Sequence, residues 1–129
     1  MVIVPPTKIY ISESPIHGLG VFASAKIEEG EVFEVCPIHD LGMEKGESSP
    51  FLMNYRFNWP QGEQFEKQVI AWGYGPLYNH SDNANANWRS NLENNTFEFY
   101  ATKEILPNRE ILIWYGGDNY WNDGRSKLS

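Results

Sequence analysis

The stretch Tyr78-Asn79-His80-Ser81-Asp82-Asn83-Ala84-Asn85 packs amides, an imidazole and a hydroxyl into one short run. Read alone, it is a polar turn whose Asn and Asp side chains cap nearby backbone groups. It is a poor metal site, because no second His or Cys stands at ligand spacing. Pairing Cys36 with His80 as nucleophile and base is also poor, since the apolar strand position of Cys36 favours an inert core thiol. What decides its meaning is the company it keeps on either side.

Immediately before it, Pro76-Leu77-Tyr78-Asn79 predicts one short turn of helix with proline at an early position. After it, Thr96-Phe97-Glu98-Phe99-Tyr100-Ala101 alternates as a strand behind a hairpin-like Asn94-Asn95 turn. Pro107-Asn108 makes a second turn, and Glu110 to Trp114 predicts the last clear strand. That strand runs into Tyr115-Gly116-Gly117, then Asp118-Asn119-Tyr120-Trp121, which reads either as packing aromatics or as an aromatic pocket with tyrosine hydroxyls.

Towards the N-terminus, Ser14-Pro15-Ile16-His17-Gly18-Leu19-Gly20-Val21-Phe22-Ala23 is a glycine turn feeding a short strand. It is not a dinucleotide fingerprint: the third glycine and the surrounding βαβ unit are missing. Ile9 to Ile11, Glu31 to Ile38, Phe51 to Phe57 and Gln68 to Trp72 predict further strands, with Val32 and Phe33 breaking the alternation of the second. Ile27 to Gly30 and Trp59-Pro60-Gln61-Gly62 read as turns, and residues 40–50 as a Gly-, Ser- and Glu-rich loop. No window supports a long amphipathic helix. The expectation is a mostly β domain of several small sheets with little helix.

The 129 residues fit one domain large enough for a core of its own. A single cysteine excludes an internal disulfide framework and multi-Cys zinc sites, and is compatible with a reducing, intracellular setting. No apolar run approaches a membrane span, and Pro5, Pro6 and Lys8 interrupt the only apolar stretch where a signal peptide would sit. A net charge of −7 argues against direct nucleic-acid binding and tolerates a basic protein partner. An aromatic content of 15% either compensates for a small core or lines a site.

Taken together and in order, Gly18 to Ala23, Asn79-His80-Ser81 with Asn85, and Glu110 through Gly116 resemble the motifs of the SET-domain protein-lysine N-methyltransferases. Order and spacing agree over residues 8–121, the expected core of a single SET domain spanning 1–129. Gly73-Tyr74-Gly75 before Asn79 and Tyr120-Trp121 near the end are most similar to the minimal viral SET proteins that methylate host histone tails. Ala84 stands where the family usually has proline, and Asn108-Arg109 replaces its common Gly-Glu.

The resemblance implies a SET fold, in which the C-terminal segment threads beneath the Asn-His-Ser loop like a pseudoknot, an exception to ordinary connection rules. It implies S-adenosylmethionine as cofactor, S-adenosylhomocysteine as product, and no metal. Gly18, Leu19, Gly20, Tyr78, Asn79, His80, Tyr115 and Trp121 would contact the cofactor, Trp121 by stacking on adenine. Tyr115 would be the catalytic residue, with Tyr74, Tyr115 and Tyr120 walling the lysine channel. The partner implied is a protein or peptide with an exposed lysine, a basic histone-like tail, in the cytoplasm or, for a viral protein, the host nucleus. A homodimer is implied too, because the minimal relatives are dimers. A lysine with pKa about 10.4 must lose its proton to attack, at a cost of roughly 4–5 kcal/mol at pH 7, and an aromatic, dehydrated channel lowers that cost. Three other readings stay open at this point: a catalytically weak SET-like peptide-binding module, a methyltransferase acting on a non-histone protein, and a β-rich structural or interaction domain with no ligand.

Overall fold

The computed structural model describes residues 2–44, 56–60 and 67–115. Within them the chain is mostly β, as expected, with one 3-10 turn at Gly75–Leu77 where Pro76 occupies the first turn. Nine strands are described: β1 (Ile9–Glu13), β2 (Leu19–Ala23), β3 (Val32–Glu44), β4 (Arg56–Trp59), β5 (Lys67–Ala71), β6 (Asn79–His80), β7 (Ala86–Asn91), β8 (Thr96–Ala101) and β9 (Glu110–Ile113). They form a four-stranded sheet, β1-β2-β9-β6, and a five-stranded sheet, β4-β5-β3-β8-β7.

The first sheet is assembled from distant parts of the chain. β2 pairs antiparallel with β9 (Val21 opposite Ile111), and β6 pairs parallel with β9 (Asn79 opposite Leu112, His80 opposite Ile113). Val21, Ile111 and Ile113 are fully buried beneath it. The last described strand is thus an interior strand. The threading expected of the segment after it falls on residues 116–129, outside the described residues.

The second sheet differs from expectation at three places. β3 runs on to Glu44, through residues 40–44 that composition assigns to a loop. The register shifts between Asp40 and Met43, and the Asp40 carboxylate accepts the Gly42 N–H at 2.8 Å, so a bulge absorbs the glycine without ending the strand. β7 is an unpredicted strand, because Asn87, Arg89, Ser90 and Asn91 are weak strand formers. It forms because Trp88 packs edge-on against Phe57 and stacks with Phe99. β4 covers only the end of the strand expected over 51–57, the rest of which lies outside the described residues, as do Gln61 and Gly62. The Asn94-Asn95 turn is where expected, with Asn95 at φ 56° joining β7 to β8.

Phe33, Trp59, Tyr78, Phe97 and Phe99 are all buried, and Phe57 packs on this group. Much of the aromatic surplus therefore fills the core, and composition alone does not reveal which rings line a site.

Candidate active site

The β1-β2-β9-β6 sheet places the sequence motifs side by side. The Asn79 amide nitrogen lies 3.0 Å from the His17 carbonyl, 3.2 Å from the Leu19 carbonyl and 2.9 Å from Glu110 Oε2, so its two hydrogens tie the glycine turn to β9. Glu110 Oε1 accepts from the Ser14 hydroxyl at 2.9 Å, and Ser14 Oγ in turn accepts the Ile16 N–H at 3.0 Å. Gly20 owes its identity to this junction: a Cβ there would overlap the Glu110 carboxylate and come within 3.1 Å of the Asn79 amide. Close internal packing is by itself enough to require glycine there. The open backbone is one step away at Gly18, where a Cβ would meet nothing within 4 Å, beside a half-exposed Leu19.

His80 is fully buried. Its Nδ1 accepts the Tyr115 N–H at 2.9 Å, and its Nε2 lies 3.2 Å from Asp82 Oδ1. One neutral tautomer, with hydrogen on Nε2, satisfies both contacts. Asn85 acts as a single-residue strand beside β9: its amide donates to the Glu110 carbonyl at 2.9 Å and its carbonyl accepts the Leu112 N–H at 2.8 Å. Backbone bonds from Ser81 to Ile113 (3.0 Å) and from Asn85 to Leu112 (3.1 Å) complete the clamp. With β9 held on both sides, Tyr115 follows it in a fixed position. The Tyr115 ring lies 5.3 Å from the His80 ring, and its hydroxyl donates to the Tyr78 carbonyl.

Tyr78 reaches this centre with its backbone only. Its ring is buried, stacked on Phe99 at 4.8 Å and edge-on to Phe33 at 6.0 Å, so its side chain is not available to a cofactor. The Tyr78 hydroxyl donates to Glu34 Oε1 at 2.7 Å, and Glu34 Oε2 accepts the Tyr74 N–H at 2.8 Å. Burial pushes the Glu34 carboxyl above its ordinary range, opposed by the hydrogen bonds from Tyr74 and Tyr78. Burial, reinforced by the Glu34 charge, also pushes the Tyr78 phenol and the Cys36 thiol up. Cys36 is therefore a protonated core thiol and no nucleophile.

Gly18, Leu19, Gly20, Asn79, His80 and Tyr115 thus gather around β9, the glycine turn tied to Asn79 and Glu110 and Tyr115 to His80. Tyr74 is connected to them through Glu34 and Tyr78. Tyr120 and Trp121, expected in the channel and on the cofactor, lie outside the described residues. Among the described residues no group of three or more His, Cys, Asp or Glu could hold a metal ion, and no helix is long and apolar enough to cross a membrane. Three residues of the constellation carry roles that motif reading leaves unassigned: Glu34, Ser14 and Glu110. Only Glu34 leaves a local trace, the broken alternation at Val32-Phe33.

Comparison with known proteins identifies the family. The family profile described as SET domain matches residues 18–116. The Schizosaccharomyces pombe protein "Histone-lysine N-methyltransferase, H3 lysine-37 specific" is 31% identical over 122 residues, covering 92% of this chain and 80% of that protein. The crystal structure of a candidate histone methyltransferase of Plasmodium falciparum superposes with a TM-score of 0.68 at 35% identity, covering 87% of this chain and 96% of the other.

Proposed function

Because the chain belongs to the SET-domain family, we propose that it transfers a methyl group from S-adenosylmethionine to the side-chain amine of a lysine in a protein, with a histone tail as substrate. It is on this reading a protein-lysine N-methyltransferase. The observation that carries it is the state of the Tyr115 hydroxyl. Its one hydrogen is given to the Tyr78 carbonyl, so towards any other group the oxygen acts as an acceptor and not as a donor. Such an oxygen can accept from an amine N–H or a polarised C–H and so orient the reacting atoms, and it is not set up to protonate them.

The residues present fit the cofactor. The backbone at Gly18 has an open face next to exposed Leu19, and the carbonyls on either side of it, those of His17 and Leu19, receive the buried Asn79 amide. Gly18, Leu19, Gly20, Asn79 and His80 would hold it largely through main-chain groups, with the Tyr78 backbone and Tyr115 beside them and Trp121 stacking on adenine. When bound, it supplies an electrophilic methyl group on a sulfonium centre. Tyr74, Tyr115 and Tyr120 wall the channel through which the lysine enters, and their apolar faces favour the neutral amine.

The finer parts of the reading follow from the same motifs. The catalytic core is residues 8–121 of a single domain. The likeness to minimal viral SET proteins rests on Gly73-Tyr74-Gly75 and Tyr120-Trp121, and with it come a homodimer and action on chromatin in a reducing compartment, the host nucleus or cytoplasm for a viral protein. The substrate is a basic tail rather than nucleic acid, and the chemistry needs no metal.

The test is incubation with radiolabelled S-adenosylmethionine and mixed proteins that include histones. Label on lysine is expected, and Tyr115→Phe should lower turnover by roughly a hundredfold while the variant still folds and binds the cofactor. Near-normal turnover in that variant would remove Tyr115 from its role. Cofactor binding without transfer would favour a peptide-binding module, and transfer to other proteins but not to histones would move the substrate to a non-histone lysine.

A further inference from the structure

The buried carboxylate of Glu34 is used by none of the roles above, yet it touches the site's supports at two points. Glu34 is only 4% exposed, a charged residue on the face of β3 that it shares with fully buried Cys36. The register shifts just before it: Val32 pairs with Tyr100 and Glu34 with Phe99, so one residue is inserted and Phe33 faces inward beside Glu34. A carboxyl placed this way loses hydration that an apolar residue would not miss, so stability is a weak reason for its presence.

Its contacts give a better reason. One oxygen accepts the Tyr74 N–H at 2.8 Å and the other accepts the Tyr78 hydroxyl at 2.7 Å. These two residues bracket the Gly75–Leu77 turn, so a single carboxylate grips both ends of it. Gly73 fits the same grip: it stands at φ +100°, and a Cβ there would lie 2.6 Å from Glu34 Oε2. At the far end, the Tyr78 carbonyl receives the Tyr115 hydroxyl. Contact therefore runs from Glu34 through Tyr78 to Tyr115, and through the backbone to Tyr74.

We propose that Glu34 is a positioning residue: its carboxylate braces the Tyr74–Tyr78 segment at both ends and thereby sets the place of the Tyr78 carbonyl, which aims the Tyr115 hydroxyl, and of Tyr74. The proposal rests on Tyr115 orienting the reacting amine. Glu34→Gln keeps the shape but replaces one accepting oxygen with an NH2 group, which sets a donor against the Tyr74 N–H or the Tyr78 hydroxyl.

The experiment measures methyl transfer to histones, S-adenosylhomocysteine binding and amide hydrogen exchange for the full chain, Glu34→Gln, Tyr78→Phe and the double variant. Expected are a fall in kcat of roughly tenfold or more for Glu34→Gln with cofactor affinity within about twofold, a smaller fall for Tyr78→Phe, and a double variant no worse than Glu34→Gln alone. Exchange should quicken at residues 73–78 and stay unchanged in β2 and β9. An unchanged kcat, losses that add in the double variant, or equal losses of turnover and cofactor affinity would overturn the proposal. If Glu34→Gln does not fold, Tyr78→Phe, which deletes one hydroxyl, carries the same test alone: unchanged kcat in it overturns the proposal. A wild-type protein that methylates nothing would instead sink the proposed function, and unchanged exchange at 73–78 would then still sink the brace.

Discussion

Replacing Asn85 by alanine should unfasten β9. The Asn85 side chain supplies the strand partner for the Glu110 carbonyl (2.9 Å) and the Leu112 N–H (2.8 Å), both part-buried. Alanine leaves one donor and one acceptor without partners. Each such group costs about 1–2 kcal/mol where burial is only partial, so the pair should cost about 2–4 kcal/mol. For a chain of this length that corresponds to a fall in Tm of roughly 8–15 °C. Asn85→Asp sharpens the test. It keeps the acceptor for Leu112 but sets a carboxylate oxygen against the Glu110 carbonyl, so it should be no more stable than the alanine variant. Urea unfolding followed by tryptophan fluorescence and thermal melting followed by circular dichroism measure both variants against the parent. Asn85→Ala within about 0.5 kcal/mol of the parent, the range of an indifferent surface change, would refute the clamp.

Asn79→Ala removes the donor shared by the His17 and Leu19 carbonyls and the Glu110 carboxylate, and should weaken cofactor binding roughly tenfold by calorimetry; an unchanged affinity would show that the glycine turn holds its shape without it. Gly20→Ala forces a methyl group against the Glu110 carboxylate and should destabilise by about 1–3 kcal/mol, with β2–β9 amide exchange accelerated. Because burial raises the Glu34 carboxyl above its ordinary value of 4.5, the folded protein keeps a proton that the unfolded chain releases as pH rises past that value. The stability difference between the parent and Glu34→Gln should therefore fall as pH increases across that window, and a difference that is flat or rising with pH contradicts the assignment.

Part of this fold is legible in the amino-acid sequence itself. Thr96 to Ala101 and Glu110 to Ile113 announce themselves because one face of each is buried and the alternation survives. β7 does not, because Asn87, Arg89 and Asn91 look like loop residues and only the distant partners Phe57 and Phe99 make Trp88 a strand anchor. The tail of β3 is hidden by a glycine that a bulge accommodates. At the site, order and spacing identify the motif residues, but not the bonds among them. Nothing local links Ser14 to Glu110 or Asn79 to His17, since these pairs meet only once β9 lies between β2 and β6. Glu34 is misleading for a different reason: a charged residue in a strand reads as outward-facing, although its spacing of two from buried Cys36 turns it inward.

The interior place of β9 also sets an order of events in time. Val21 waits for Ile111, and Asn79 and His80 wait for Leu112 and Ile113, so during synthesis β2 and β6 stand as open edges until nearly the whole described chain has left the ribosome. Pairings of such long sequence separation form slowly, and a chain halted before β9 lacks the Glu110 carboxylate and the strand that lock the Gly18–Gly20 turn to the Asn79 amide. The constellation around Tyr115 is accordingly among the last features the chain can build. Products that stop short of β9 would accumulate as sticky, siteless fragments rather than as partly active enzyme.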